Sequence, residues 1–226
     1  MNHLIIGAGR MGKLRASVLA ELGHVATLTD IGYRLNPKEQ FDSVIIETPP
    51  ETHYNCIIDV VVTYGSKMPL FVDKPVMVQS GRLPVFFKSL VGSNWRWHPK
   101  LMRYEWKTLD WAYPNPHPLD LIHFVDVAWE RWGKPRDAIY ADGSLALKYE
   151  HGWKEISIQD GPPKREVDGN EIGVGDMFEL EMKHWLNVIS GKEESVNDFN
   201  KALERTQWLQ NCLRTGSLTP SSEGPS

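Results

Sequence analysis

The feature that most restricts this chain is Gly7-Ala8-Gly9-Arg10-Met11-Gly12, which follows directly on the apolar run Leu4-Ile5-Ile6. The run reads as a buried strand. Beyond the glycines, Met11, Leu14, Val18 and Leu22 recur at helical spacing, and Gly23 stops the pattern as a glycine just past a helix end does. Val25 to Leu28 is a second strand, ending at Asp30. Strand, glycine turn, helix, strand is one βαβ unit, and that unit implies a parallel sheet. Glycines at this spacing meet three demands: a tight turn, close approach of backbone to a pyrophosphate, and close packing of helix on strand. The N-terminus of the helix adds unpaired N–H groups and the positive end of its dipole. Gly7, Gly9 and Gly12, with Arg10 and Met11 between them, are therefore candidates for binding a dinucleotide. Asp30 stands at the strand end where a carboxylate accepts hydrogen bonds from an adenosine ribose and repels a 2′-phosphate, which favours NAD over NADP. Arg10 and Arg34 lie close by and could instead receive a 2′-phosphate, and Asp30 could also simply initiate a turn before Gly32.

The first half continues as an abbreviated α/β pattern. Ile31 to Phe41 carries the turn formers Gly32, Asn36 and Pro37 and has no room for a further helix–strand pair. Ser43 to Glu47 is a third strand, Asn55 to Tyr64 a helix with Ile57, Ile58, Val61 and Val62 on its apolar side, and Leu70 to Val72 a fourth strand. A short helix is expected between Gly81 and Leu83, then a strand at Leu90-Val91. The expected organisation is a reduced Rossmann-like domain over 1–92, a smaller α+β domain with an open mixed or antiparallel sheet over 93–216, and a disordered Ser/Pro/Gly tail over 217–226.

In the second half, a helix is predicted from Pro99 to Leu109, a loop over Trp111 to Pro118, and a helix over Leu119 to Trp129. Ser144–Tyr149 and Trp153–Ile158 read as a hairpin turning at His151-Gly152. A helix starts at Asp176, expected to cap it with Glu179 completing a capping box, and ends at Gly191. Phe178, Met182, Trp185 and Ile189 form its apolar face. A last helix spans Asp198 to Leu213. Tryptophans cluster between Trp95 and Trp132. They suit a carbohydrate-stacking cleft, but a small aromatic core is the better expectation.

Two strand ends carry further chemistry. Ligands of open α/β sheets bind at the carboxyl ends of strands. Thr48-Pro49-Pro50-Glu51-Thr52-His53 occupies one such end, where it could equally be a plain strand-to-helix loop. Asp73-Lys74-Pro75 occupies another. A lysine held beside a nicotinamide cation has its pKa lowered by like charge and burial, and so can shuttle a proton.

Composition narrows the classes. The formal net charge is -4 and no basic block occurs, which argues against a nucleic-acid or anionic-membrane partner. Two distant cysteines, Cys56 and Cys212, exclude a disulfide scaffold and fit a reducing, cytoplasmic compartment. No apolar run is long enough to cross a bilayer, and no basic stretch precedes the first apolar run as it would in a signal peptide. His117 and His123 are the closest histidine pair, with neither Cys nor His-Glu-x-x-His nearby, so no metal site is expected.

Taken in order, GAGRMG, ETPPETH, VDKP and SNWRWHP resemble the Gfo/Idh/MocA family of NAD(P)-dependent oxidoreductases. Asp73 stands where the family has Glu before Lys-Pro. Leu119-Asp120-Leu121-Ile122-His123-Phe124-Val125-Asp126 is similar to the family segment that carries the substrate-side acid/base, and 178–191 is similar to its late helix. The resemblance implies roles. Lys74 would contact the nicotinamide and the reacting hydroxyl. His123 would be the acid/base with Asp120 orienting it, and His117 is its rival. Asn94 and Arg96 would lie near nicotinamide or substrate. Thr48, Pro49, His53 and Asp73 would line the coenzyme site. It further implies a small-molecule substrate such as a sugar, sugar nucleotide or polyol, and a homo-dimer or higher homo-oligomer. Against the family pattern, the stretch after Asp30 and the one before His123 are short. That shortening opens the alternative of a non-catalytic nucleotide-binding sensor or subunit. Reduction of a linear tetrapyrrole, which the family also contains, is a further alternative.

Overall fold

The computed structural model describes residues 1–76, 88–92, 94–98, 101–102, 105–114, 116–173 and 176–218. The chain divides into two compact units. The first is Met1–Asn94 together with Asp176–Glu204; the second is Trp95–Gly175 with the stretch from Arg205 onward. The segment 176–204 thus belongs with the first unit, whereas the sequence alone suggested the second.

The first unit is built on β1 (Asn2–Ile6), β2 (Val25–Thr29), β3 (Ser43–Ile46), β4 (Leu70–Val72) and β5 (Ser89–Val91). They form one sheet in the order β2-β1-β3-β4-β5, with every pairing parallel. Side chains alternate across it, as a strand's period of two requires. Leu4, Ile6, Val44, Ile46, Leu70 and Val72 pack with Ile57 and Val60 of helix α2 (His53–Tyr64). Ile5, Ile45, Phe71 and Leu90 pack on the opposite face with Val18 and Leu19 of α1 (Arg10–Glu21). Met182, Trp185 and Leu186, from the returning helix Met177–Ser190, fill out that second face. The central strands are buried on both sides, which is why they read as continuous apolar runs. The short 31–42 stretch supplies no strand beyond β2. That strand is the sheet edge, and Val25 stays 65% exposed on it.

The second unit holds a 7-stranded sheet. Its strands are β6 (Thr108–Ala112), β7 (Asp137–Ala141), β8 (Ser144–Tyr149), β9 (Gly152–Gln159), β10 (Lys164–Val167), β11 (Asn170–Glu171) and β12 (Ser217–Leu218). The order is β11-β10-β6-β9-β8-β7-β12, antiparallel except where β6 runs parallel to β9. Helix α3 (Ile122–Trp132) buries Phe124, Val125 and Val127.

Several local expectations change. Thr108–Ala112 is a strand, where the local pattern predicts the end of a helix over Pro99–Leu109 and a loop from Trp111; residues 99, 100, 103 and 104 of that helix lie outside the described residues. Its register comes from β9 and β10, distant in sequence, and that pairing overrides local preference. The predicted helix over Leu119–Trp129 is a 3₁₀ turn, Pro118–Leu121, followed by α3. Asp176 precedes its helix without a side-chain capping bond. Ser217 and Leu218, placed in the disordered tail by composition, pair with Ile139 and Ala138. The expected helix at Gly81–Leu83 lies outside the described residues, as does the Asn94 side chain.

Candidate functional site

In the first unit β1 has β2 on one side and β3 on the other, so the chain direction of successive connections reverses beside β1. A crevice at the strand carboxyl ends is expected at such a point. The glycines sit there, each under a different constraint. Gly7 has φ +119, and a Cβ on it would come 2.4 Å from the Glu47 carbonyl oxygen. A Cβ on Gly12 would lie 1.9 Å from the Gly7 carbonyl oxygen and 3.3 Å from Leu28 Cδ1. Gly9 caps α1, and a Cβ there would meet nothing within 4 Å. So the first glycine makes the turn, the third lets α1 lie against β1, and the second leaves bare backbone facing open space. No side chain caps α1 and no acidic residue lies in its first turn, which leaves its N–H groups to an external anion. This cradle fits a diphosphate. Arg10 is exposed and Met11 half-buried beside it.

Asp30 is exposed, and its Oδ1 accepts a hydrogen bond from the Ile31 N–H at 2.8 Å while its carbonyl accepts from Tyr33. It therefore initiates the turn, and a ribose would have to share that carboxylate. Arg34 is also exposed.

At the next strand end Thr48 and Lys74 are both buried, Lys74 to 6% exposure. Pro49 is exposed, and the Lys74–Pro75 peptide bond is cis. His53 does not reach outward as expected of a coenzyme ligand. It is fully buried, with Nδ1 2.8 Å from the Pro75 carbonyl oxygen and Nε2 2.8 Å from that of Thr48. It braces the end of β3 against the end of β4. Asp73 keeps 24% of its side chain exposed.

A charged cluster that sequence reading missed lies beneath these ends. Arg15, fully buried, meets Glu47, Glu181 and Asp73. The available signal was a charge on an apolar stripe: Arg15 among Met11, Leu14 and Val18, and Glu181 among Phe178, Met182 and Trp185. Burial pushes the Glu47 carboxyl well above the usual carboxylate range, and the attraction of Arg15 does not cancel that.

In the second unit, Asp120 accepts hydrogen bonds from the Tyr113 hydroxyl and from the His117 N–H at 2.9 Å. His117 Nδ1 in turn accepts from the Leu119 N–H at 3.1 Å, which closes a capping box and leaves Nε2 as its remaining ring nitrogen. Asp120 thus organises the turn before α3, and the pairing that orients His123 in the sequence-based account is not the one its carboxylate makes. Burial, and then Asp120, hold the Tyr113 phenol above its ordinary range. His123 is half-buried on the first turn of α3. Arg96, expected near substrate, is buried. Its fork grips Asp126 at 3.1 and 2.9 Å, and Nη1 lies 2.9 Å from Glu130. It is part of this unit's frame. Of the tryptophans between Trp95 and Trp132, Trp95 and Trp106 are core; they pack edge-on to the half-buried Trp111 and Trp132 at 4.4 and 4.9 Å between ring centroids.

The parallel Rossmann-like sheet and the α+β unit with its large mixed sheet form a fold shared with solved structures described as dehydrogenases and oxidoreductases. Among solved structures, the chain is similar to a putative myo-inositol dehydrogenase from Sinorhizobium meliloti, with TM-score 0.73 and 17% identity over 96% of this chain and 99% of that one. It is also similar to an oxidoreductase from Agrobacterium radiobacter in complex with NAD+, L-tartaric acid and magnesium (TM-score 0.69, 10% identity, 96% and 98% covered). A third is UDP-N-acetylglucosamine 3-dehydrogenase from Acidithiobacillus ferrooxidans (TM-score 0.64, 16% identity, 96% of each chain). At these identities the likeness establishes the fold. No protein-family model and no curated protein matches the chain.

Proposed function

We propose that this protein is an NAD(P)-dependent oxidoreductase of the Gfo/Idh/MocA type, acting on a carbinol or carbonyl carbon of a sugar, sugar nucleotide or polyol. The observation that carries the reading is the glycine cradle. Gly12 is closed by the Gly7 carbonyl and Gly9 is open at an uncapped helix start, and the ends of β3 and β4 next to it bear Thr48 and Lys74. The order of motifs and the fold shared with dehydrogenases support it.

A bound nicotinamide supplies the hydride acceptor or donor; the protein positions and polarises. The α1 N–H groups hold the diphosphate, with Arg10 and Met11 at its rim. Asp30 accepts from the adenosine ribose, which favours NAD; Arg34 and Arg10 are the groups that would admit a 2′-phosphate. Thr48, Pro49 and Asp73 line the remainder of the coenzyme path, with His53 fixing that path from beneath. Lys74 and His123 hold and move the proton of the reacting hydroxyl. Asp120 and Tyr113 shape the turn that presents His123, and His117 offers Nε2 to substrate. Assembly as a homo-dimer or higher homo-oligomer is part of the proposal, and the exposed Ile139 and Trp153 on the second sheet favour it.

Turnover is read as a substrate-dependent change in nicotinamide absorbance across a panel of polyols, sugars and nucleotide sugars. Coenzyme binding without turnover on any of them, unchanged by Lys74→Ala, would instead establish the non-catalytic nucleotide-binding subunit. The commitment of Asp120 and Arg96 to their own units of structure is the observation that favours that second reading.

A further inference from the structure

Arg15 lies one helical turn beyond Gly12 and gathers segments that are far apart in sequence. Nε donates to Glu47 Oε1, Nη1 donates to Glu181 Oε2 at 2.7 Å, and Nη2 lies 3.8 Å from Asp73 Oδ1. The guanidinium stacks over the Phe71 ring, 4.3 Å from its centroid, with the Phe178 ring at 5.7 Å. Gly92 makes the room: a Cβ there would come within 2.9 Å of Asp73 Oδ1 and 3.2 Å of Arg15 Nη2. The sequence positions matter. Glu47 is followed by Thr48 and Asp73 by Lys74, and the Glu47 carbonyl is the group against which Gly7 turns. A single buried fork is thereby tied to the residue preceding each of two strand-end segments, on the same helix that begins at the glycine turn.

Three carboxyl groups face this one cation: Glu47 from just past β3, Asp73 from just past β4 and Glu181 from the helix Met177–Ser190. Glu47 Oε1 accepts from Arg15 Nε, while Glu47 Oε2 is buried without a hydrogen-bond partner among the described residues. Arg15, Glu47 and Glu181 are buried and joined by hydrogen bonds, so solvent screens them less than a surface ion pair, while the partly exposed Asp73 flanks them at longer range. Lysine would be a poor substitute, because its three donors radiate from one nitrogen and lack the planar fork whose Nε, Nη1 and Nη2 reach Glu47, Glu181 and Asp73 together.

We propose that Arg15 is a positioning residue for the redox end of the coenzyme site: through Glu47 and Asp73 it holds the Thr48 segment and Lys74 in register with the phosphate turn. This rests on the dehydrogenase reading above. Arg15 itself touches no coenzyme.

The test separates the two ends of the ligand. Affinities of the wild type, Arg15→Lys and Glu181→Gln are measured for NADH and NADPH, and for ADP-ribose and its 2′-phosphate, which lack the nicotinamide. In Arg15→Lys, ADP-ribose affinity should stay within about twofold while reduced-coenzyme affinity falls about tenfold, the weight of one charge-assisted contact. The fluorescence enhancement of bound NADH should fall with it, since that signal reports the nicotinamide's surroundings. Glu181→Gln keeps an acceptor for Nη1 and removes a charge, so it should show the same split at about threefold; it decides the matter if Arg15→Lys does not fold. Parallel losses for both kinds of ligand, or no loss for either, overturn the positioning role. Failure of the wild type to bind any of the four ligands overturns the dehydrogenase reading instead.

Discussion

Replacing Gly12 with alanine sets two effects of opposite sign against each other, and the structure says which prevails. Inside a helix alanine is better than glycine by about 1 kcal/mol. Against this, the added Cβ would stand 1.9 Å from the Gly7 carbonyl oxygen and 3.1 Å from its carbon. Contacts of that kind need more than an ångström of relief, and the obstacle is backbone, in a turn where Gly7 holds φ +119. Overpacking against so unyielding a neighbour lies at the upper end of its usual range, about 3 kcal/mol. The net expectation is a loss of about 2 kcal/mol, a factor of about 30 in the folding equilibrium. In urea, with a slope of about 2 kcal/mol per molar, the midpoint drops by about 1 M. Coenzyme affinity falls as well, because α1 can no longer lie where its N–H groups converge. Gly9→Ala is the matched control. Its Cβ meets nothing within 4 Å and φ there is -71, so stability should move by less than about 1 kcal/mol while the methyl obstructs the diphosphate and binding is lost. A Gly12→Ala protein as stable as the parent, or more so, would refute the close-packing argument. A Gly9→Ala protein that binds coenzyme normally would refute the placement of the diphosphate.

Other expectations follow from single residues. Lys74→Met should abolish turnover yet hold coenzyme within about threefold by fluorescence titration, because it keeps the buried stem and removes the ammonium; retained turnover would remove Lys74 from the mechanism. Asp30→Ser should shift the NADH-to-NADPH affinity ratio about tenfold toward NADPH, and an unchanged ratio would mean that Asp30 only shapes its turn. Burial, with His24 and the N-terminal ammonium, lowers the His3 pKa to about 4. The unfolded chain then binds a proton the folded one refuses, so stability is fully present above about pH 6.5 and declines as pH falls toward 4, by about 3 kcal/mol over that window. Urea midpoints at pH 7 and pH 4.5 measure this, and a His3→Gln protein should lack that part of the decline.

The first unit's plan and the glycine cradle were legible along the chain before any contact was known. Each of those signals is local: Leu4–Ile6 before the glycines, the helical recurrence through Leu22, and the Thr48 and Lys74 segments after their apolar strands. Turn chemistry and periodicity act over a few residues, so a chain displays them without its partners. How the charges are used became clear from contacts between residues distant along the chain. His53 became a brace, Arg96 the frame of the second unit, and Asp120 the partner of Tyr113. Arg15, Glu47 and Glu181, far apart along the chain, met under the strand ends. Such contacts likewise set β6 and β10 as strands and brought 176–204 back to the first sheet. The reason is the same in each case. A buried charge or an exposed strand edge has no stable state alone, and what satisfies it is a group whose distance along the chain carries no information about its distance in space.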